Sequence, residues 1–115
     1  MKIVDHKTFL AMPAGTVFCK YDPHFLDSLA IKGESILDTD DFFVQEIHTA
    51  VALDVGADHN KCLDDALVNG TSLRMNFSCE CRDGLYETEQ LFAVWEKADV
   101  EGLIARLQQC LPAAR

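Results

Sequence analysis

Hydrophobic and polar positions alternate most regularly between Leu73 and Arg82. Leu73, Met75, Phe77, Cys79 and Cys81 fall on one side of this segment, and Ser72, Arg74, Asn76, Ser78, Glu80 and Arg82 on the other. A period of two is the mark of a half-buried antiparallel strand, and Asp83-Gly84 follows as a turn. A second clear pattern lies near the C-terminus. Val100, Leu103, Ile104, Leu107 and Leu111 recur at helical spacing from about Asp99 onward, a stripe suited to packing on a core. Asp99 and Glu101 complement the positive end of that helix.

The rest of the chain reads less regularly. Asp5 is placed to cap a short helix through Phe9, Leu10 and Met12, stopped by Pro13. Thr16 to Tyr21 predicts a strand ending at Asp22-Pro23, and Leu29 to Lys32 a short one closed by Gly33. Phe42 to Ile47 predicts a third, with Ala50 to Leu53 either extending or bending it. Asp58 opens a helix with Cys62, Leu63, Ala66 and Leu67 on one face and Asn69-Gly70 as its stop. Leu91 to Trp95 predicts a last strand. These elements make a single globular domain over residues 1–115, of α+β class: a mainly antiparallel sheet of about five strands with two to three helices packed on one face.

Composition narrows the setting. Of 115 residues 49% are hydrophobic, enough for a core, and no run approaches the roughly 20 apolar residues of a membrane span. The first residues form no signal peptide, so the expected location is cytoplasmic, with no membrane partner. Five cysteines, an odd number, are then expected as reduced thiols rather than as a disulfide framework.

Charge changes the picture most. Nine carboxylates lie between Glu34 and Asp65 with Lys61 as the single cation, so this stretch carries −8 of the net −9. Such a field repels phosphate backbones and attracts basic protein surfaces over a Debye length of about 8 Å. Direct nucleic-acid binding is therefore not expected. A basic surface on another protein is the expected partner, with Asp38, Asp40, Asp41, Asp58, Asp64 and Asp65 as the candidate binding residues. Acids at phosphate-like spacing would let a folded protein occupy a nucleic-acid groove.

Chemistry leaves fainter traces. Cys79-x-Cys81 with a histidine is a conceivable zinc or thiol site, although the second Cys pair of a structural zinc site is lacking. The strand reading instead buries both sulfurs beside Met75 and Phe77. An EF-hand beginning at Asp38 fails, since Phe43 and Thr49 stand where glycine and glutamate are needed. Phosphate-binding glycine motifs are lacking too. No cofactor is expected.

Met12-Pro13-Ala14-Gly15-Thr16-Val17-Phe18-Cys19-Lys20-Tyr21-Asp22-Pro23, Leu29-Ala30-Ile31-Lys32-Gly33-Glu34, and Arg82-Asp83-Gly84-Leu85-Tyr86 leading into Leu91-Phe92-Ala93-Val94-Trp95-Glu96-Lys97 form a set. Their arrangement resembles small uncharacterised proteins encoded by phages and prophages of Gram-negative bacteria. The resemblance implies a host-takeover or accessory role and assigns no functional residue. The expectation is a non-enzymatic acidic binding protein of phage type, for example an anti-CRISPR-like or anti-restriction-like inhibitor of a host nucleic-acid-binding or defence protein. Two alternatives stand beside it: a metal-binding or thiol enzyme using Cys79 and Cys81, and a self-associating accessory protein joined through a bare sheet edge.

Overall fold

A computed structural model describes residues 1–53 and 57–112. In chain order the elements are β1 (Lys2–Val4), α1 (His6–Leu10), β2 (Val17–Asp22), β3 (Phe25–Leu26), β4 (Ala30–Ser35), β5 (Phe42–Glu46), α2 (His59–Asn69), β6 (Cys81–Arg82), β7 (Leu91–Val94) and α3 (Lys97–Gln109). The chain forms the expected α+β class, with an antiparallel sheet and three helices. Among the described residues the sheet has seven strands in the order β1-β7-β2-β4-β5-β6, with β3 paired to β2. Two of these strands escape a pattern reading because they are short: β1 has three residues, and β3 has two.

Asp5 caps α1 as its position predicts, its carboxylate accepting the Thr8 N–H at 2.8 Å. The helix is one turn and a half long, and its role is to deliver Phe9. That ring stacks on Phe92 at 3.9 Å and meets Phe18 and Phe42 edge to face at 4.7 and 5.0 Å. Phe9, Phe18, Ala30, Phe42, Val44, Phe92 and Val94 make one buried cluster under α1. Aromatic pairs in such geometries add about 0.5–1.5 kcal/mol each to their burial.

The helices divide between the two faces instead of sharing one. Phe18, Ala30 and Val94 point to the α1 side, so the residues next to them, Val17, Ile31 and Trp95, point to the other. There they line an apolar groove with Val100, Leu103 and Leu107 of α3. Apolar residues on both faces of β2, β4 and β7 call for cover on both. Helix α2 has no buried residue and, unlike α3, contributes none to this groove.

The most regular alternation in the sequence does not form one strand. Among residues 73–82, Met75 bridges Val51 and only Cys81–Arg82 joins the sheet, opposite Phe43 and Val44. Between them the Asn76 side chain accepts the Ser78 N–H at 3.0 Å, and this local turn breaks the extended run. The face expected to be buried is therefore open: Met75, Phe77, Cys79 and Cys81 are exposed. Strand β4 runs on through Gly33 by way of a bulge between Lys32 and Ser35, so that glycine does not close it. After β5 the chain turns at Ile47–Thr49, which settles the Ala50–Leu53 segment as a bend.

Candidate protein-docking surface

The six acids singled out from sequence have unlike surroundings. Asp41, at the end of the β4–β5 turn, is 0% exposed. Its Oδ1 accepts the Phe42 and Gly84 amides at 2.9 and 2.8 Å, and its Oδ2 the Arg82 Nε at 3.0 Å. Burial alone would push this carboxyl up, but those amides and the guanidinium outweigh it and hold it below the ordinary carboxylate range. Asp41 is thus a structural tie between the turn and β6. Unlike the other five acids it offers nothing to a partner, being bonded on both oxygens and shut off from solvent.

Asp58 is the N-cap of α2, accepting the Lys61 N–H at 3.2 Å. Asp65 accepts the Asn69 amide at 2.7 Å, and hydrogen bonds from the Thr71 and Asn69 side chains lower its pKa. Both remain exposed and present charge while shaping the helix. Asp38, Asp40 and Asp64 are exposed and make no hydrogen bond or ion pair among the described residues. Asp38 sits in the left-handed region at φ 60, which a short polar side chain tolerates in a tight turn. Asp54 lies outside the described residues.

The turn acids precede β5 and the α2 acids follow its far end, so separate elements carry them. The acidic stretch of sequence is thus carried by two elements, a turn and a helix.

Helix α2 has the more telling surface. It follows in sequence a ladder where Ala52 and Asn76 donate their N–H groups to the carbonyls of Arg74 and Ala50, at 2.7 and 2.6 Å. Cys62 and Ala66 are half-buried. Leu67 is 84% exposed and Val68 78%, with Leu63 also open. At about 100° per residue Asp64 falls between Leu67 and Val68 on the outward face. Gly70 ends the helix at φ 71, as the Asn-Gly signal predicts.

A second apolar feature is the groove beneath α3, a cavity of about 310 Å³ bounded by Val17, Leu29, Ile31, Ile47, Phe77, Trp95, Val100, Leu103 and Leu107. No polar group lines it that could orient a substrate. On the α1 side a different cleft gathers Lys20, Asp27, Glu46, His48 and Asp83. Lys20 and Asp83 are joined there at 2.6 Å, an ion pair that closes the hairpin end onto the sheet.

Cys79 and Cys81 are exposed rather than packed in a core. Partial desolvation, then the charges of Glu46, Cys79 and Asp83, push the Cys81 thiol up, opposite to the direction that activates a nucleophile. Among the described residues no three His, Cys, Asp or Glu side chains converge as metal ligands. Likewise no helix among them is long and apolar enough to cross a membrane.

Sequence reading missed the bare apolar residues of α2 and α3. Their helical periodicity was visible, but periodicity marks a face without showing what covers it. No protein-family model, curated protein or solved structure matches this chain.

Proposed function

We propose that this chain is a non-enzymatic binding protein that docks α2 onto a protein partner with a basic rim around an apolar slot. The observation that carries this reading is the outward face of α2, where Leu67 and Val68 stand open on either side of Asp64. A helix kept merely for solubility would be polar on that face. An amphipathic helix laid in a groove anchors by its apolar side chains, while its acids steer approach and set specificity. Asp58, Asp64 and Asp65 supply that charge, and Asp38 and Asp40 add to the long-range field from the turn. The resemblance to phage accessory proteins supplies the host context, and a host nucleic-acid-binding or defence protein has the basic surface required.

The test is a pull-down from host lysate with the native chain, a Leu67→Ser/Val68→Ser variant and an Asp38→Asn/Asp40→Asn/Asp64→Asn variant. The reading expects one basic protein held by the native chain, lost by the first variant, and bound more weakly by the second. That complex should also weaken as salt rises. Capture that survives the α2 change, or no capture at all, overturns the reading.

A further inference from the structure

We propose that the edge of β5 left uncovered by β6 carries a binding pocket for a primary alkylammonium ion, with Gln45 and Glu46 as its hydrogen-bond acceptors. The proposal is independent of the reading of α2, because it concerns a different element and a ligand small enough to be tested without a protein partner.

The alternation of ladder bonds locates the pocket. Ile47 donates its N–H to the Leu29 carbonyl, so the backbone groups of Phe43, Gln45 and Ile47 point toward β4. Those of Phe42, Val44 and Glu46 point the other way, and the Asp83 N–H accordingly donates to the Phe42 carbonyl. Strand β6 pairs only with Phe43 and Val44, so its ladder stops short of Glu46. In that gap lies a cavity of about 140 Å³, between β5 and the segments that carry Thr49 to Val51 and Cys79 to Cys81.

Gln45 takes up the ladder bond that β6 does not make. Its side chain is buried, the residue being 4% exposed, and its Nε2 donates to the Glu46 carbonyl at 2.7 Å. That bond fixes the orientation of the amide, since a flipped amide would set two oxygens against each other. Its Oε1 is then left without a donor among the described residues. A buried acceptor without a donor is costly to the fold, and a donor entering the cavity recovers that cost. The terminal torsion of glutamine is broad, so a small rotation turns Oε1 to the cavity with the Nε2 bond kept.

The rest of the lining selects a cation. Glu46 supplies a carboxylate whose Oε2 accepts the Thr49 hydroxyl at 2.9 Å and whose Oε1 makes no hydrogen bond among the described residues. No Lys or Arg lines the cavity. The negative surroundings also register at Cys81, whose thiol is pushed up by desolvation first and then by the charges of Glu46, Cys79 and Asp83. A chain of net charge −9 draws cations in and repels anions.

Among cations an ammonium group fits best. It is compact and turns its three donors freely, unlike the planar fork of a guanidinium. Gln45 Oε1, Glu46 Oε1 and the Thr49 hydroxyl oxygen are the acceptors to match them. A metal ion is a poorer match, because no three His, Cys, Asp or Glu side chains converge among the described residues. Val44, Ala50 and Val51 give the cavity apolar walls for a methylene stem. At about 30 Å³ for each water-sized heavy atom, 140 Å³ holds about five, as many as butylammonium has.

The experiment titrates the intact ¹⁵N-labelled chain with n-butylammonium chloride at constant ionic strength and reads backbone and glutamine side-chain NMR shifts. Saturable shifts are expected at Gln45, Glu46, Thr49 to Val51 and Cys79 to Cys81. Neither n-butanol, which lacks the charge, nor tetramethylammonium, which lacks the N–H donors, should reproduce them. Glu46→Gln, at an exposed position, and Gln45→Leu should each weaken binding about tenfold, the effect of losing one hydrogen bond to a charged group. If Gln45→Leu loses the native spectrum, Glu46→Gln decides alone. Cys79→Ser/Cys81→Ser and Asp38→Asn/Asp40→Asn/Asp64→Asn should stay within about twofold of the native chain, which separates the pocket from thiol chemistry and from general surface charge. Equal shifts with n-butanol, shifts spread over the acidic surface, or native affinity in Glu46→Gln overturns the proposal and leaves the cavity to water.

Discussion

Arg82 reaches from β6 across to the turn before β5 and donates its Nε to Asp41 Oδ2 at 3.0 Å, fixing two segments 41 residues apart. The Gly84 amide bonds to the other oxygen of the same carboxylate. One buried acid therefore organises the far end of the sheet. Asp41→Ala should cost about 2–3 kcal/mol in urea unfolding, the usual loss for hydrogen bonds to a charged group, because it strands the Gly84 amide as well. Asp38→Asn and Asp40→Asn should lie within about 0.5 kcal/mol of the native chain, being exposed and unpaired.

The same carboxyl predicts an acid limb. Its folded pKa lies below the ordinary value of 3.8, so its contribution is complete above that value and is lost as pH falls through the folded pKa. Unfolding curves from pH 6 down to pH 2 should show a loss of stability in the lower half of that range. The loss should be smaller in Asp41→Asn.

Lys32 predicts the opposite limb. It is 1% exposed, its Nζ donating to the Gly33 carbonyl at 3.0 Å and lying 5.8 Å from the centre of the Phe9 ring. Burial lowers its pKa from 10.5, so the folded chain gives up that proton before the unfolded chain does. Between the folded pKa and 10.5 the unfolded state binds more protons, and stability gained from this residue rises with pH. Lys32→Met should remove that slope and raise the melting temperature at neutral pH. An unchanged slope between the two chains from pH 8 to 10.5 would refute the assignment.

Phe9→Ala should cost about 4 kcal/mol, since the ring contacts three other phenylalanines and nothing else can fill its place. Phe77→Ala, at a half-exposed position, should cost under about 1 kcal/mol. Equal losses in chemical denaturation would mean that the α1 face is not the principal core.

Thiol titration without denaturant should find Cys79, Cys81 and Cys110 accessible and Cys19 protected. Cys81 should react slowly, because partial desolvation and neighbouring negative charge keep its thiol protonated. Cys19 should respond only on unfolding, being buried in β2.

Much of the fold was legible because local patterns carried it. Asp5 before Phe9, Asp58 before the α2 face and Asn69-Gly70 after it were read correctly, since a cap and its helix lie within a few residues. The Leu73–Arg82 alternation misled for the complementary reason. An Asx turn at Asn76 competes with extension at short range, and the strand needed a neighbour along its whole length that β5 supplies only at Phe43 and Val44. The acidic stretch was legible as charge, but its members part company once folded: Asp41 closes a turn, Asp58 caps a helix and Asp64 faces water.

The sequence by itself determined the α+β class, the caps of α1 and α2, the apolar stripe of α3, and the concentration of negative charge between Glu34 and Asp65. Tertiary structure alone decided that Asp41 would meet Arg82, that Lys32 would be buried, and that Leu67 and Val68 of α2 would stay bare. The reason is one of range. Periodicity follows from backbone geometry over a few residues, whereas cover for an apolar face depends on which distant segment reaches it, and among the described residues none covers Leu67 and Val68.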